Sequence, residues 1–354
     1  VKKIGEEMEV NKTELAAWAP LYEAAINFKN HRPWEWMYDH EIFGVANPQT
    51  GEIGYCSVLG HFKQVYALNV NRGTEGLFGH FVMQSVGQEE GPEAENRHEV
   101  LFYQNCLMAS FDDRQWLAKE ELEIIKALGL RFRGRNAWPK FQDYRPGYFP
   151  WFIEEKDIYF LTVALEQALD VVLRCREDKS LIETGEDEVF LVRKPVFEER
   201  GIVWHDTYQE PAPFHFTIPD DGPFDEVGLQ RILKKTPQGK DVWEAEIFHY
   251  PNPVREGKNR PYFPLTFAVV EKKKGLLVRL EILPLEGYVK EARDLQIAAM
   301  EGAGVRPREI RVMTGRAHDV LKPVTDKAGI TLKRVERLPD LERMRRHFLS
   351  SLIS

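Results

Sequence analysis

Three apolar runs decide the fold: VWEAEIFHY (242–250), FPLTFAVVE (263–271) and LLVRLEIL (276–283). Each has the length and the Val, Ile, Leu and Phe content of a β-strand. The charged turn from Lys272 to Gly275 joins the last two as a hairpin. After Leu283 the period of the sequence changes. Tyr288–Met300 spaces its apolar residues as a helix does and stops at Gly302 to Gly304. Ile310–Met313 then reads as a short strand, Arg316–Ala328 as a helix closed by Gly329, Ile330–Val335 as a strand and Pro339–Leu349 as a last helix. The order is β-β-β-α-β-α-β-α. Hairpin-linked strands that continue into αβ units imply a mixed sheet with helices packed on it.

Working outward, Phe224–Lys234 reads as a short helix ahead of this block. Tyr208–Pro223 carries Pro211, Pro213, Pro219 and Pro223, a density that marks a domain edge. Upstream, helical spacing predicts helices over Thr13–Phe28, Gly73–Val86, Asp112–Leu128 and Asp157–Cys175, with Gly129 closing the third. Apolar runs at Ile42–Ala46, Ile53–Leu59 and Val65–Val70, parted by turn residues, predict an antiparallel meander. Val100–Phe111, Val189–Val192 and Ile202–His205 are further strand candidates, and acidic Gly87–Glu99 reads as a loop. The expected architecture is two α+β domains: 1–210, a proline-rich linker over 211–224, and 225–354. A chain of 354 residues is long enough for two, at about 150 residues per domain.

Composition excludes several classes. Hydrophobic residues are 43% and charged residues 29%, which fits a globular chain rather than a disordered or collagen-like one. The net charge is −8, unlike that of a whole-chain nucleic-acid binder. Residues 304–354 run the other way, with twelve Lys and Arg against six Asp and Glu. That basic C-terminal region is a candidate contact for a protein or nucleic-acid partner. Cys56, Cys106 and Cys175 are odd in number and far apart, which fits free thiols in a reducing compartment. No apolar stretch approaches ~18 residues, and the first seven residues hold no apolar signal region, so a cytoplasmic protein without membrane contact is expected. The ten histidines form no HExxH or Cys/His cluster of the kind zinc requires. Gly73–Gly79 lacks the lysine and the order of a phosphate-binding loop, and there is no GxSxG elbow.

The β-β-β-α-β-α-β-α order over Val242–Ser354 resembles the ribonuclease H-like fold. The step from Gly304 through Pro307 to Val312 is similar to one seen in its integrase-like members. The resemblance implies acids in the first strand, at the end of the fourth, and on a helix, where they hold two Mg²⁺ or Mn²⁺ ions for phosphoryl transfer. Here the first strand offers Glu244 and Glu246, and the last helix Asp340 and Glu342. The fourth strand ends in Met313-Thr314-Gly315, with no acid. Glu244 and Glu246 share one face by the two-residue period, and that face is expected to be polar and solvated, opposite Trp243 and Ile247.

Arg32-Pro33-Trp34-Glu35, Asn71 to Gly76, Ser110 to Arg114, Trp138-Pro139 and the run from Pro146 to Trp151 together resemble a two-domain bacterial family of unknown function. That resemblance covers most of the chain and implies the two-domain organisation, with no activity attached.

Arg131-Phe132-Arg133-Gly134-Arg135-Asn136-Ala137-Trp138-Pro139-Lys140 is the sharpest surface candidate. Guanidinium groups grip phosphates and aromatic rings stack on bases. Arg131, Arg133, Arg135, Trp138 and Lys140 are its candidate binding residues. The same alternation also fits an edge strand with Phe132 inward. The expected function is therefore a non-catalytic binding or interaction protein. One alternative is a metal-dependent nuclease or phosphoryl-transfer enzyme using Glu244, Glu246 and Glu342. Another is a small-molecule enzyme with an aromatic pocket near Trp34, Trp138 and Trp151.

Overall fold

The computed structural model describes residues 12–87, 103–183, 185, 188–214, 217–250 and 252–353. The expected absence of a signal region at the N-terminus, the acidic loop over 88–99 and His215 lie outside them. The chain divides into two compact units. The first comprises 1–146 and 150–214, and the second comprises 147–149 and 215–354.

In the first unit an eight-stranded sheet has the order β6-β5-β4-β3-β2-β1-β7-β8. Strands β1 (Phe43–Ala46), β2 (Ile53–Leu59), β3 (Ala67–Arg72), β4 (Cys106–Asp112), β5 (Trp138–Tyr144) and β6 (Trp151–Phe152) form one antiparallel meander. Strand β7 (Phe190–Glu198) joins β1 in parallel through Gly44 with Val192 and Val45 with Arg193, and pairs with β8 (Gly201–Gln209) as a hairpin. Helices α1 (Lys12–His31), α3 (Lys119–Ala127) and α4 (Glu155–Glu177) contribute to the core over one face. Leu21, Phe28, Leu161 and Val172 meet Val58, Leu68 and Phe141 there.

Helix α2 (Gly73–Gly87) follows β3 without a loop and sets Leu77 against Tyr55 and Ile42 on the other face. Its glycines permit close approach: a Cβ on Gly79 would lie 2.1 Å from the Tyr103 carbonyl oxygen, and one on Gly76 2.4 Å from that of Asn105. The glycine-rich run thus packs a helix against backbone.

Two expectations are corrected here. Asp112–Leu128 is not one helix. Asp112 ends β4, Arg114–Trp116 makes a single 3₁₀ turn, and α3 starts at Lys119, where Glu121 reaches back to the Ala118 amide at 2.7 Å. Arg131–Arg135 is not an edge strand but a loop ahead of β5, although Phe132 does turn inward, packing on Tyr22 and Trp138.

The second unit is α+β with ribonuclease H-like topology. Its five strands, β9 (Val242–His249), β10 (Leu265–Glu271), β11 (Leu276–Leu283), β12 (Glu309–Val312) and β13 (Thr331–Arg334), lie in the order β11-β10-β9-β12-β13. Strand β10 is antiparallel to both neighbours, whereas β9, β12 and β13 run parallel. Helices α5 (Glu226–Lys235), α6 (Tyr288–Ala303) and α7 (Gly315–Ala328) share a core with Trp243, Ala245, Ile247, Phe267 and Val312. On the opposite face Leu338 and Leu341, at the start of α8 (Pro339–Ile353), pack against Phe248, Ala268 and Val270. Strand β9 is therefore central and covered on both sides. Among the described residues no helix is long and apolar enough to cross a membrane.

Candidate functional site

The covered position of β9 overturns one expectation. Glu244 and Glu246 share a face, but that face is buried, and they are 0% and 3% exposed. The alternation argument assumed a half-solvated strand, whereas a central strand with helices on both faces has none. A buried carboxylate must find hydrogen-bond donors. Glu246 Oε1 accepts from the Thr314 hydroxyl at 2.6 Å and the Ile247 amide at 3.0 Å. Its Oε2 accepts from the Met313 amide at 2.8 Å and the Thr314 amide at 3.1 Å. Thr314 in turn caps α7 by accepting from the Ala317 amide at 3.1 Å. Glu244 does the same for α8: its Oε2 accepts from the Asp340 and Leu341 amides at 2.9 and 3.0 Å, and Lys272 stands 3.4 Å from Oε1. Both acids therefore sit at helix N-termini, where the backbone supplies donors and a partial positive charge.

Mg²⁺ or Mn²⁺ does not fit these residues. An ionised carboxylate has about four acceptor sites, and Glu246 has filled four. Glu342, the third acid of the nuclease alternative, pairs with Arg337 at 3.0 Å. Among the described residues no three His, Cys, Asp or Glu side chains are grouped to hold a metal ion.

At the far end of β9, His249 is buried, with Nδ1 3.1 Å from the Phe263 carbonyl and Nε2 3.4 Å from an Arg316 nitrogen. Burial, reinforced by the Arg316 charge, holds it down to about 3, against 6.5 for an ordinary histidine. The unfolded chain therefore binds a proton that the folded one refuses between those values. Stability should fall by about 1.4 kcal/mol per pH unit below 6.5 through this group. Denaturation midpoints from pH 7 to 5 should show that slope, and His249→Gln should flatten it.

In the first unit, the Arg131–Lys140 candidates separate. Arg131, Arg133 and Arg135 are exposed, with no ion pair among the described residues. Trp138 packs on Phe132 and lies under the Arg114 guanidinium at 5.8 Å. Lys140 faces Asp112 at 3.9 Å. Trp34, Trp138 and Trp151 do not build one pocket. Trp34 contacts Phe28, Tyr66 and Phe111, whereas Trp151 contacts Phe152.

The structure instead places Arg135 at a cavity of about 350 Å³ with Lys29, Asn30, Arg32, Trp34, Tyr66 and Asn136. Three chain segments meet here: the last turn of α1 with the bend after it, the approach to β3, and the 134–136 turn. Two of its residues hold left-handed backbone, Arg32 at φ 54° and Asn136 at φ 50°. Such backbone is uncommon for arginine, whereas asparagine adopts it readily. Gly60 lets the aromatic wall close, since a Cβ there would lie 2.9 Å from Trp34 and 2.7 Å from Tyr66. A second cavity, about 710 Å³, lies beside α1 and α4, and Glu23 and Glu166 are its titratable acids. Burial and Glu23 raise the Glu166 carboxyl above its usual range.

The basic C-terminal region is largely engaged internally. Arg306 bonds the Thr236 and Ala328 carbonyls. Lys322, Lys327, Arg337 and Arg343 pair with Asp326, Glu226, Glu342 and Asp340. Lys333 and Arg334 remain exposed on edge strand β13.

Comparison with known proteins gives families without an activity. Residues 18–193 match a domain of unknown function, DUF7309, and residues 229–349 match another, DUF6930. A search of curated proteins finds no match. Among solved structures, the catalytic core domain of HTLV-2 integrase in complex with magnesium, in its trimeric form, is similar at 14% identity and a TM-score of 0.23. The match covers 30% of this chain and 66% of that one, just under two thirds of its length. The chain is thus similar to DUF7309 over its first unit and to DUF6930 over its second, each match covering less than half of its residues.

Proposed function

We propose that the protein is a non-catalytic binding protein whose ribonuclease H-like unit is a scaffold. The observation that carries this reading is the filled carboxylate of Glu246. Where the fold's enzymes place a metal-binding acid, this chain spends the acid on Met313 and Thr314. The contact surface is assigned to the first unit, around exposed Arg131, Arg133 and Arg135. A second surface, for a protein or nucleic-acid partner, is assigned to Lys333 and Arg334 of β13, whose charges also guard a sheet edge. The three free, buried thiols support a reducing, cytoplasmic setting. Burial pushes Cys106 up to about 12 and Cys175 to about 11, which keeps both as unreactive thiols.

Calorimetric titration of the full chain with MnCl₂ and MgCl₂ tests the reading. No saturable heat at millimolar metal is expected, in wild type or in Glu246→Gln. Saturable binding in wild type that Glu246→Gln removes, together with metal-dependent cleavage of nucleic acid, would establish the nuclease alternative instead.

A further inference from the structure

The geometry points to the cavity framed by Lys29, Arg32 and Arg135 as a binding site for a small organic phosphate monoester. Three cations line it from two segments, Lys29 and Arg32 at the end of α1 and Arg135 in the 134–136 turn, and no carboxylate lines it. Lys29 and Arg135 have no ion-pair partner among the described residues, and Arg32 pairs with Glu35 at 2.7 Å. The Glu35 carboxylate and the carbonyl end of α1, with about half a negative charge, together fall short of the three positive ones. The positive excess therefore stands, in a recess where burial already lowers the Lys29 ammonium from its ordinary value.

Backbone strain points to the same place. The described residues contain four non-glycine positions of positive φ: Arg32, Lys63, Asn136 and Glu188. Two of the four line this cavity. Arg32 takes this backbone where the chain turns out of α1, its amide donating to the Lys29 carbonyl at 3.0 Å, and the turns at Arg32 and Asn136 set both residues at the cavity. The aromatic wall is fixed as well. Trp34 is held by Tyr66 at 5.0 Å and Phe111 at 5.7 Å between ring centres.

The arrangement selects among anions. A carboxylate is planar and singly charged, and one bidentate arginine satisfies it. A phosphate monoester carries close to two charges on three terminal oxygens, which three cations from two segments can share. A phosphodiester has one charge and must continue in both directions, whereas this recess lies at the lower end of small-molecule pocket volumes. Trp34 and Tyr66 supply apolar surface for the organic part of the ligand.

The test titrates the full chain with phenyl phosphate, inorganic phosphate and benzoate by calorimetry. Phenyl phosphate is expected to bind at one site, at least about tenfold more tightly than benzoate. Arg135→Ala, on an exposed turn that the fold does not need, should weaken it at least about tenfold, and Lys29→Met similarly. Arg200→Ala, on the exposed β7–β8 turn outside the cavity, should leave it within about twofold. Absence of saturable binding to either phosphate at about 10 mM would overturn the assignment. So would equal losses in Arg200→Ala and Arg135→Ala, the sign of diffuse attraction. Neither outcome depends on the metal titration.

Discussion

Replacing Glu246 by alanine is expected to destabilise the second unit by about 3–5 kcal/mol, since each hydrogen bond to a charged group is worth ~1.5–3 kcal/mol and such terms do not simply add. The substitution strands the Met313 and Thr314 amides and the Thr314 hydroxyl in a covered site. Thr314 loses the partner that orients it as the cap of α7, so the junction of β12 with α7 should loosen first. Urea denaturation measures the total, and hydrogen exchange at Met313, Thr314 and Ala317 locates it. Glu246→Gln should lose less, because its amide keeps one acceptor oxygen. The sign separates the two readings of this acid. A carboxylate crowded among others to await a metal is repelled by its neighbours, so its removal leaves the metal-free protein equally or more stable. A large loss is expected here, and an unchanged midpoint would refute the capping role.

A loss of similar size, about 3–5 kcal/mol, is expected in the first unit from Arg72→Met, because it takes a partner from two covered carboxylates, Asp143 and Asp157. Arg72, at the end of β3, stands 2.6 Å from Asp143 on β5 and 3.3 Å from Asp157 in the first turn of α4. Burial alone would lower its guanidinium, but the two carboxylates outweigh that and hold it above its ordinary value. Asp143 is only 1% exposed and would keep Arg145 as its remaining ion pair, at 2.7 Å. Thermal unfolding reads the loss. Adding Asp143→Leu to Arg72→Met should recover part of it, since an apolar pair needs no counter-charge. If the double variant is no more stable than the single one, the stranded charge is not the cause.

Legibility followed the kind of information each element carries. The second unit could be read almost strand for strand, because hairpin turns and glycine stops punctuate it: Gly275 turns β10 into β11, and Gly304 and Gly329 end α6 and α7 in left-handed backbone. Strand β5 was not expected where it lies: the alternation over Arg131–Lys140 begins it too early, and Pro139 interrupts the local period that runs on to Tyr144. The burial of Glu244 and Glu246 depends on which strands flank β9, a fact of sheet order that no local period records. The Thr314 cap was visible only as a missing acid. The cavity was less legible still. Lys29 and Arg32 stand about 100 residues from Arg135, and nothing in the sequence marks the backbone at Arg32 as left-handed. Of its lining, Arg135 was anticipated as a binding residue and Trp34 as part of an aromatic pocket, but not that the two share a site.

The parallel pairing of β1 with β7 has a kinetic consequence. Strands β1 to β5 can zip up as neighbours while the chain is still being made. Val45 must wait for Arg193, about 150 residues later, and that contact raises the contact order of the unit. The β7–β8 hairpin can form locally but has only a short seam through which to join the sheet. Refolding should therefore show a fast phase for the meander and a slower one for hairpin docking, during which β1 presents a bare sheet edge.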